Sequence, residues 1–265
     1  MCLILIAHQA HPKYPLVIAA NRDEFFSRPS AEAHFWHGEN GASKDHNPVL
    51  AGKDITAGGT WMGVTKTGRL AAVTNVREPH RAPPSDAISR GHLVTGFLTS
   101  DKSCQDYQSE VMQHQTRYSG FNLICGLNHQ LWHMSNRNEQ ATKLEPGIHG
   151  LSNATLNTPW PKVSEGKKEL QHLLRQSSFS LPQLLPLLTH KQMAPSHTLP
   201  HTGVGEDMEK VLSARFIEHP ASGYGTRTST LVRLNNQGQM EFAEWTWNIN
   251  GELQQQVEFE FALEI

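Results

Sequence analysis

Cys2 carries a thiol and directly follows Met1. A small second residue is the type that lets the initiator methionine be removed. Removal leaves one residue with a thiol of pKa about 8.5 and an α-amine of pKa about 7.7–8.0. That residue then supplies its own nucleophile and its own base near neutral pH, which suits acyl transfer by an amino-terminal nucleophile. With Met1 attached, the α-amine belongs to another residue and this chemistry is blocked.

Four polar features stand where strand ends are expected. Asn21-Arg22-Asp23-Glu24 places three ionisable residues at the end of an apolar run, which is costly unless they are exposed or paired. Either Asp23 fixes and charges the amine of Cys2 while Asn21 or Arg22 binds substrate, or the quartet is a solvated strand terminus with a local ion pair. Asn75 and Asn153 are amides able to donate to a developing oxyanion. The other reading of Asn75 is an ordinary turn residue before Pro79, and Asn153 taken alone reads first as an N-cap or Asx turn ahead of a helix. Arg227 opens a strand, where it can lower a thiol pKa or bind a carboxylate, or simply sit at the surface. Trp61, after Gly58-Gly59, reads as core or pocket wall. Cys125 falls in an apolar run and reads as an inert buried thiol, whereas Cys104 starts a polar helix with no visible partner.

These residues need a scaffold. Residues 2–8 and the run LVIAANRDE, separated by the turn HPKYP, predict a β-hairpin that returns Asp23 beside Cys2. Residues 25–47 read as irregular. Strands follow at PVLAGKD, TWMGVTKT and RLAAVTNV. Ser85 is a plausible N-cap for a helix through ISRGHLVTGFL, and a second helix is expected over Gln105–Gln115. FNLICGL and QLWHMSN are strands joined by an Asn-His turn, and the segment to Asn153 is extended. Helices are expected near 162–175, 181–189 and 206–214, then three closing strands with a hairpin turn at NNQG. Hairpin-linked strands with helices in separate blocks predict an α+β fold, a four-layer αββα sandwich of mostly antiparallel sheets, spanning residues 1–265 as a single domain.

Composition removes several function classes. With 23 Lys and Arg against 25 Asp and Glu, the net charge is −2, which argues against nucleic acid or an anionic membrane as a partner. No run is long and apolar enough for a transmembrane helix, and MCLILIAH lacks the flanks of a signal peptide, so a cytoplasmic protein is expected. Three cysteines in no ligand spacing give neither a disulfide framework nor a metal site. The 16 histidines are scattered; His34 and His37 can share a helix face, and His129 and His133 do not converge. No catalytic metal is expected. A haem ligand needs only one His or Cys, so the spacing is silent on it.

Cys2, NRDE at 21–24, GGTWMGV at 58–64, GRLAAVTNVR at 68–77, SRG at 89–91, GFNLICG at 120–126, GLSN at 150–153 and YGTRTST at 224–230 occur in order. Together they resemble the NRDE family, also called the transport-and-Golgi-organisation family. That family is similar to N-terminal-nucleophile (Ntn) hydrolases such as choloylglycine hydrolase. The resemblance implies a nucleophile role for Cys2, an amine-orienting role for Asp23, amide roles for Asn75 and Asn153, and a site-arginine role for Arg227. Arg22 does not fall on the arginine those hydrolases use. The resemblance also implies haem trafficking, with haem as bound cargo and haem acceptor proteins as partners. The alternative is an amidohydrolase or acyltransferase acting on an amide or thioester.

Overall fold

The computed structural model describes residues 3–36, 48–127, 129–138 and 141–264. Along the chain run β1 (Leu3–His8), β2 (Leu16–Phe25), β3 (Ser30–Phe35), β4 (Val49–Asp54), β5 (Met62–Thr65) and β6 (Arg69–Asn75). Next come α1 (Gly91–Leu98), α2 (Cys104–Gln113), β7 (Phe121–Leu127), β8 (Gln130–Ser135), β9 (Thr142–Lys143) and β10 (Gly147–Leu151). The chain finishes with α3 (Pro161–Leu173), α4 (Glu206–Leu212), β11 (Glu218–His219), β12 (Tyr224–Leu234), β13 (Gln239–Trp247) and β14 (Leu253–Ala262).

The chain forms two compact units, one of residues 1–27, 77–81 and 146–260, the other of residues 28–76, 82–145 and 261–265. The first is built on a sheet ordered β10-β1-β2-β12-β13-β14, with β11 on β12. The second is built on a sheet ordered β3-β4-β5-β6-β7-β8-β9. The pairings that define both registers are antiparallel, as hairpin-linked strands require. The class is α+β with antiparallel sheets, as the sequence pattern predicts.

In the first unit the odd positions of β1, Leu3, Leu5 and Ala7, face the apolar stripe of α3 (Val163, Leu170) and the leucines Leu181, Leu184 and Leu187. The strand period of two puts those positions on one face. In the second unit Ala71, Val73, Leu123 and Cys125 lie under Leu93, Val94 and Phe97 of α1 and Tyr107 and Val111 of α2.

Several elements depart from the sequence expectation, each for a local reason. Residues 30–35 are a strand, not irregular chain, because Arg28 ties to Asp54 at 2.7 Å and β3 pairs with β4. The first helix starts at Gly91, and Ser85 caps nothing: the N–H of Ile88 is used on the carbonyl of Arg117 at 2.9 Å. Ser103 caps α2, its hydroxyl accepting from the N–H of Asp106 at 3.1 Å. Residues 181–187 form a 3₁₀ helix, since Pro186 inside it cannot donate the bond of a regular α-helix. His34 lies on a strand and not on a helix; His37 and Asn128 fall outside the described residues.

Candidate functional site

The start of β1 is where the first unit gathers its polar residues. Leu3 pairs with Asn21 of β2, and Ile4 pairs with Leu151 of β10. The ends of the two flanking strands therefore run past the start of β1, carrying Arg22-Asp23 on one side and Ser152-Asn153 on the other. One strand further out, β12 pairs Thr226 with Asp23 and Thr228 with Arg22. Neighbouring strands lie about 4.8 Å apart, so Asn153, Asp23 and Thr226 come from three strands within a narrow span of sheet edge.

Arg227 is the extra residue between the two pairings of β12 with β2. An inserted residue bends the strand and re-aims a side chain, a device common beside active sites. The guanidinium lies over the ring of Phe26, 5.1 Å from its centroid, and its Nη1 donates to the carbonyl of Phe25 at 3.2 Å. Burial pushes this guanidinium below its ordinary pKa, and the nearby Glu24 carboxylate opposes the shift.

Asp23 is buried, and its Oδ1 accepts the hydroxyl of Thr226 at 2.6 Å. That hydroxyl oxygen in turn accepts the N–H of Ile217 at 2.9 Å. Arg22 is also buried, opposite Thr228, and by strand alternation it projects from the face opposite Asn21. Asn153 is buried; its backbone carbonyl accepts the N–H of Arg77 at 2.8 Å. Arg77 is anchored in turn, its Nη1 donating to the buried Glu209 Oε2 at 2.7 Å.

Asn21 does different work. Its amide nitrogen donates to the carbonyls of Leu188 at 2.8 Å and Arg215 at 2.7 Å. Its oxygen accepts the hydroxyl of Ser229 at 2.6 Å, and Ser229 accepts Trp247 Nε1–H at 3.0 Å. Both amide protons are committed, so the side chain has no donor left for a ligand.

Trp61 and Asn75 belong to the second unit. A Cβ at Gly52 would fall 2.4 Å from the ring of Trp61, so the indole packs directly on that backbone. Gly59 and Gly91 are equally close: a Cβ at Gly59 would meet the backbone of Gly91 at 2.7 Å. The GGTW and SRG pieces of the sequence are therefore each other's packing partners. Asn75 closes β6 opposite Phe121. Cys2 lies outside the described residues.

Thr226, Thr228 and Ser229 were not singled out from the sequence. Thr226 holds Asp23, Ser229 holds Asn21, and Thr228 Oγ1 is buried with no hydrogen-bond partner among the described residues. The signal was the alternation Thr-Arg-Thr-Ser-Thr at 226–230, too polar for an ordinary buried strand. Among the described residues no three His, Cys, Asp or Glu side chains cluster as a metal site, and no helix is long and apolar enough to cross a membrane.

The sequence profile described as Transport and Golgi organisation 2 matches residues 1–249. The chain belongs to the Transport and Golgi organisation 2 family. Within that family it is 37% identical over 267 residues to the human Transport and Golgi organization protein 2 homolog, covering 92% of each chain. It is 35% identical over 268 residues to the Mus musculus homolog, again covering 92% of each. Among solved structures, two variants of conjugated bile acid hydrolase from Clostridium perfringens share the fold, with TM-scores of 0.51 and 0.50. Each is 10% identical in sequence, and each alignment covers 100% of this chain and 99% of that one. The chain thus carries the fold of these hydrolases.

Proposed function

We propose that this chain acts as an N-terminal cysteine amidohydrolase or acyltransferase on an amide or thioester. The observation that carries the reading is the register that brings Asn153, Arg22-Asp23 and the bulged Arg227 to neighbouring strand ends beside the start of β1. We take Cys2, the residue before Leu3 in the chain, to act at this end of β1. After loss of Met1, the α-amine takes the thiol proton and the Asp23 carboxylate favours the resulting ammonium. The thiolate attacks the carbonyl carbon, and the amide of Asn153 donates to the oxyanion. Collapse expels the amine or thiol, which takes up the proton, and leaves an acyl group on Cys2. Water or an acceptor then releases it. Arg22 and Arg227 suit an anionic group on the substrate. Intact mass of protein from its native host tests the first requirement, with loss of Met1 expected. Iodoacetamide must then modify Cys2 faster than Cys104 or Cys125. A chain that keeps Met1, or a Cys2 slower than both buried cysteines, overturns the reading.

A separate observation favours a second reading, a cytoplasmic haem carrier. A groove of about 680 Å³ in the first unit sets Ile148, Val163 and Leu174 beside Lys167, Lys168 and Arg175. A mixed lining of apolar and cationic side chains suits a planar amphipathic dianion such as haem, its carboxylates on the cations, for delivery to acceptor proteins. Haem titration would show a shifted Soret band, weakened by Lys167→Glu or Arg175→Glu. No shift in the native protein, or a shift both variants leave unchanged, removes this reading.

A further inference from the structure

The buried hydroxyls of β12 have partners, save one. Thr226 Oγ1 donates to Asp23 Oδ1 at 2.6 Å and accepts the N–H of Ile217 at 2.9 Å. Ser229 donates to Asn21 Oδ1 at 2.6 Å and accepts from Trp247 Nε1 at 3.0 Å. Thr230 donates to Glu244 Oε2 at 3.1 Å. Thr228 is 2% exposed, and its Oγ1 is buried with no hydrogen-bond partner among the described residues. A buried hydroxyl with its bond unmade destabilises the fold, and valine would fill the same space without that cost.

The register says which way Thr228 faces. It follows the bulged Arg227 and pairs with Arg22 on β2 and with Thr246 on β13. Paired residues share a face of the sheet and successive residues alternate. Ser229 therefore turns to the opposite face with Asn21, while Thr228 stays with Arg22, one strand spacing of about 4.8 Å away. Arg22 is also buried, so both side chains are withdrawn from bulk water. The acids of β2, β12 and β13 on this face are Glu24, whose Oε1 accepts the N–H of Phe25 at 2.9 Å, and Glu244, which holds Thr230. Because β1 flanks β2 on its other side, the start of β1 lies two strand spacings, about 10 Å, from Thr228.

We propose that the Thr228 hydroxyl makes its missing hydrogen bond to a carboxylate of the substrate, beside Arg22, and so selects amides or thioesters that carry an acid a few bonds from the carbonyl that Cys2 attacks. This rests on the amidohydrolase reading above and gives its substrate a chemical class. A guanidinium matches a carboxylate through two parallel N–H bonds, and a hydroxyl donates to a lone pair that the fork leaves open. Out of water, such a bond to a charged group meets little competition and discriminates strongly. Thr228 takes no part in bond making or breaking; it is a specificity-determining residue. The empty fold carries the unmade bond and the bound substrate satisfies it, as in sites where stability is given up for function.

The test compares the full chain with Thr228→Val and Thr228→Ser. Thr228→Val keeps the shape and removes the unmade bond, so it should unfold at a higher urea concentration than the parent. A lower midpoint would place the hydroxyl in a bond within the protein and overturn the proposal. N-Iodoacetylglycine and its neutral counterpart N-iodoacetylglycinamide alkylate the same thiol and differ in the carboxylate. The acid-to-amide rate ratio at Cys2, read by peptide mass mapping, should fall about tenfold in Thr228→Val, as for one lost hydrogen bond to a charged group. It should return in Thr228→Ser. A ratio that Thr228→Val leaves unchanged overturns the proposal, and a merely structural role would give that result. A parent whose Cys2 resists both reagents overturns the amidohydrolase reading instead. The subsite is then judged by N-acetylglycine alone, which should raise the melting temperature of the parent and not that of Thr228→Val. No rise in the parent, or an equal rise in both, overturns the subsite.

Discussion

Thr226 donates its hydroxyl to Asp23 Oδ1 at 2.6 Å, immediately before the β2–β12 pairing slips by one residue. The same oxygen accepts the N–H of Ile217, so one side chain both aims the acid and seats the bulge that carries Arg227. Thr226→Val keeps the shape and removes both interactions. Leaving buried polar groups unsatisfied costs about 1–3 kcal/mol, so the urea midpoint should fall by that equivalent and alkylation of Cys2 should slow. Thr226→Ser should restore both. A Thr226→Val protein equal to the parent in stability and alkylation rate would show that Asp23 does not depend on this contact.

Asn21 is expected to be a stability residue. Asn21→Leu removes the donors to the carbonyls of Leu188 and Arg215 and the acceptor of Ser229. The loss should be on the order of 3 kcal/mol in urea unfolding. Unchanged stability with lost ligand binding would return Asn21 to the binding residues.

His133 makes acid stability a readout of the second unit. Its ring is buried, its Nε2 meets Asn122 Oδ1 at 3.1 Å, and Asn122 Nδ2 donates to Thr74 at 3.2 Å. Burial lowers its pKa to about 4. The unfolded chain binds this proton at a higher pH than the folded one, so the contribution is complete above about pH 6.5. It is lost as pH falls from there to about 4, by on the order of 3 kcal/mol. His133→Gln keeps a donor for Asn122 and should flatten the stability profile over that window. An identical profile in the variant would contradict the assignment.

The ion pair of Arg77 with Glu209 holds the chain that grips Asn153. Glu209 Oε1 also accepts the N–H of Thr202 at 2.7 Å, and Arg77 lies over the ring of Trp160 at 4.8 Å. Arg77→Ala leaves a buried carboxylate without its cation, which costs about 3–5 kcal/mol. Arg77→Ala combined with Glu209→Gln should recover a large part of that cost in a double-mutant cycle. Additive losses in the cycle would mean the pair does not act as a unit.

Much of the fold was legible because strand periodicity is local. The apolar run 3–8 and the return through NRDE predicted the hairpin, and the register brings Asn21 opposite Leu3. The edges were less legible. Residues 30–35 became a strand because a neighbour offered an edge and the Arg28–Asp54 pair held it. The helix expected from Ser85 starts later because Ile88 found a distant carbonyl.

The sequence by itself determined the polar positions at strand ends, Cys2 behind Met1, and the α+β class, since residue type and period are properties of short segments. Only the tertiary structure decided what those polar groups do. Asn21 and Asp23 sit two residues apart in one strand, yet one bonds backbone carbonyls and the other a threonine hydroxyl. A hydrogen bond or a desolvated charge depends on which remote segment arrives within about 3 Å, and no local pattern encodes that arrival.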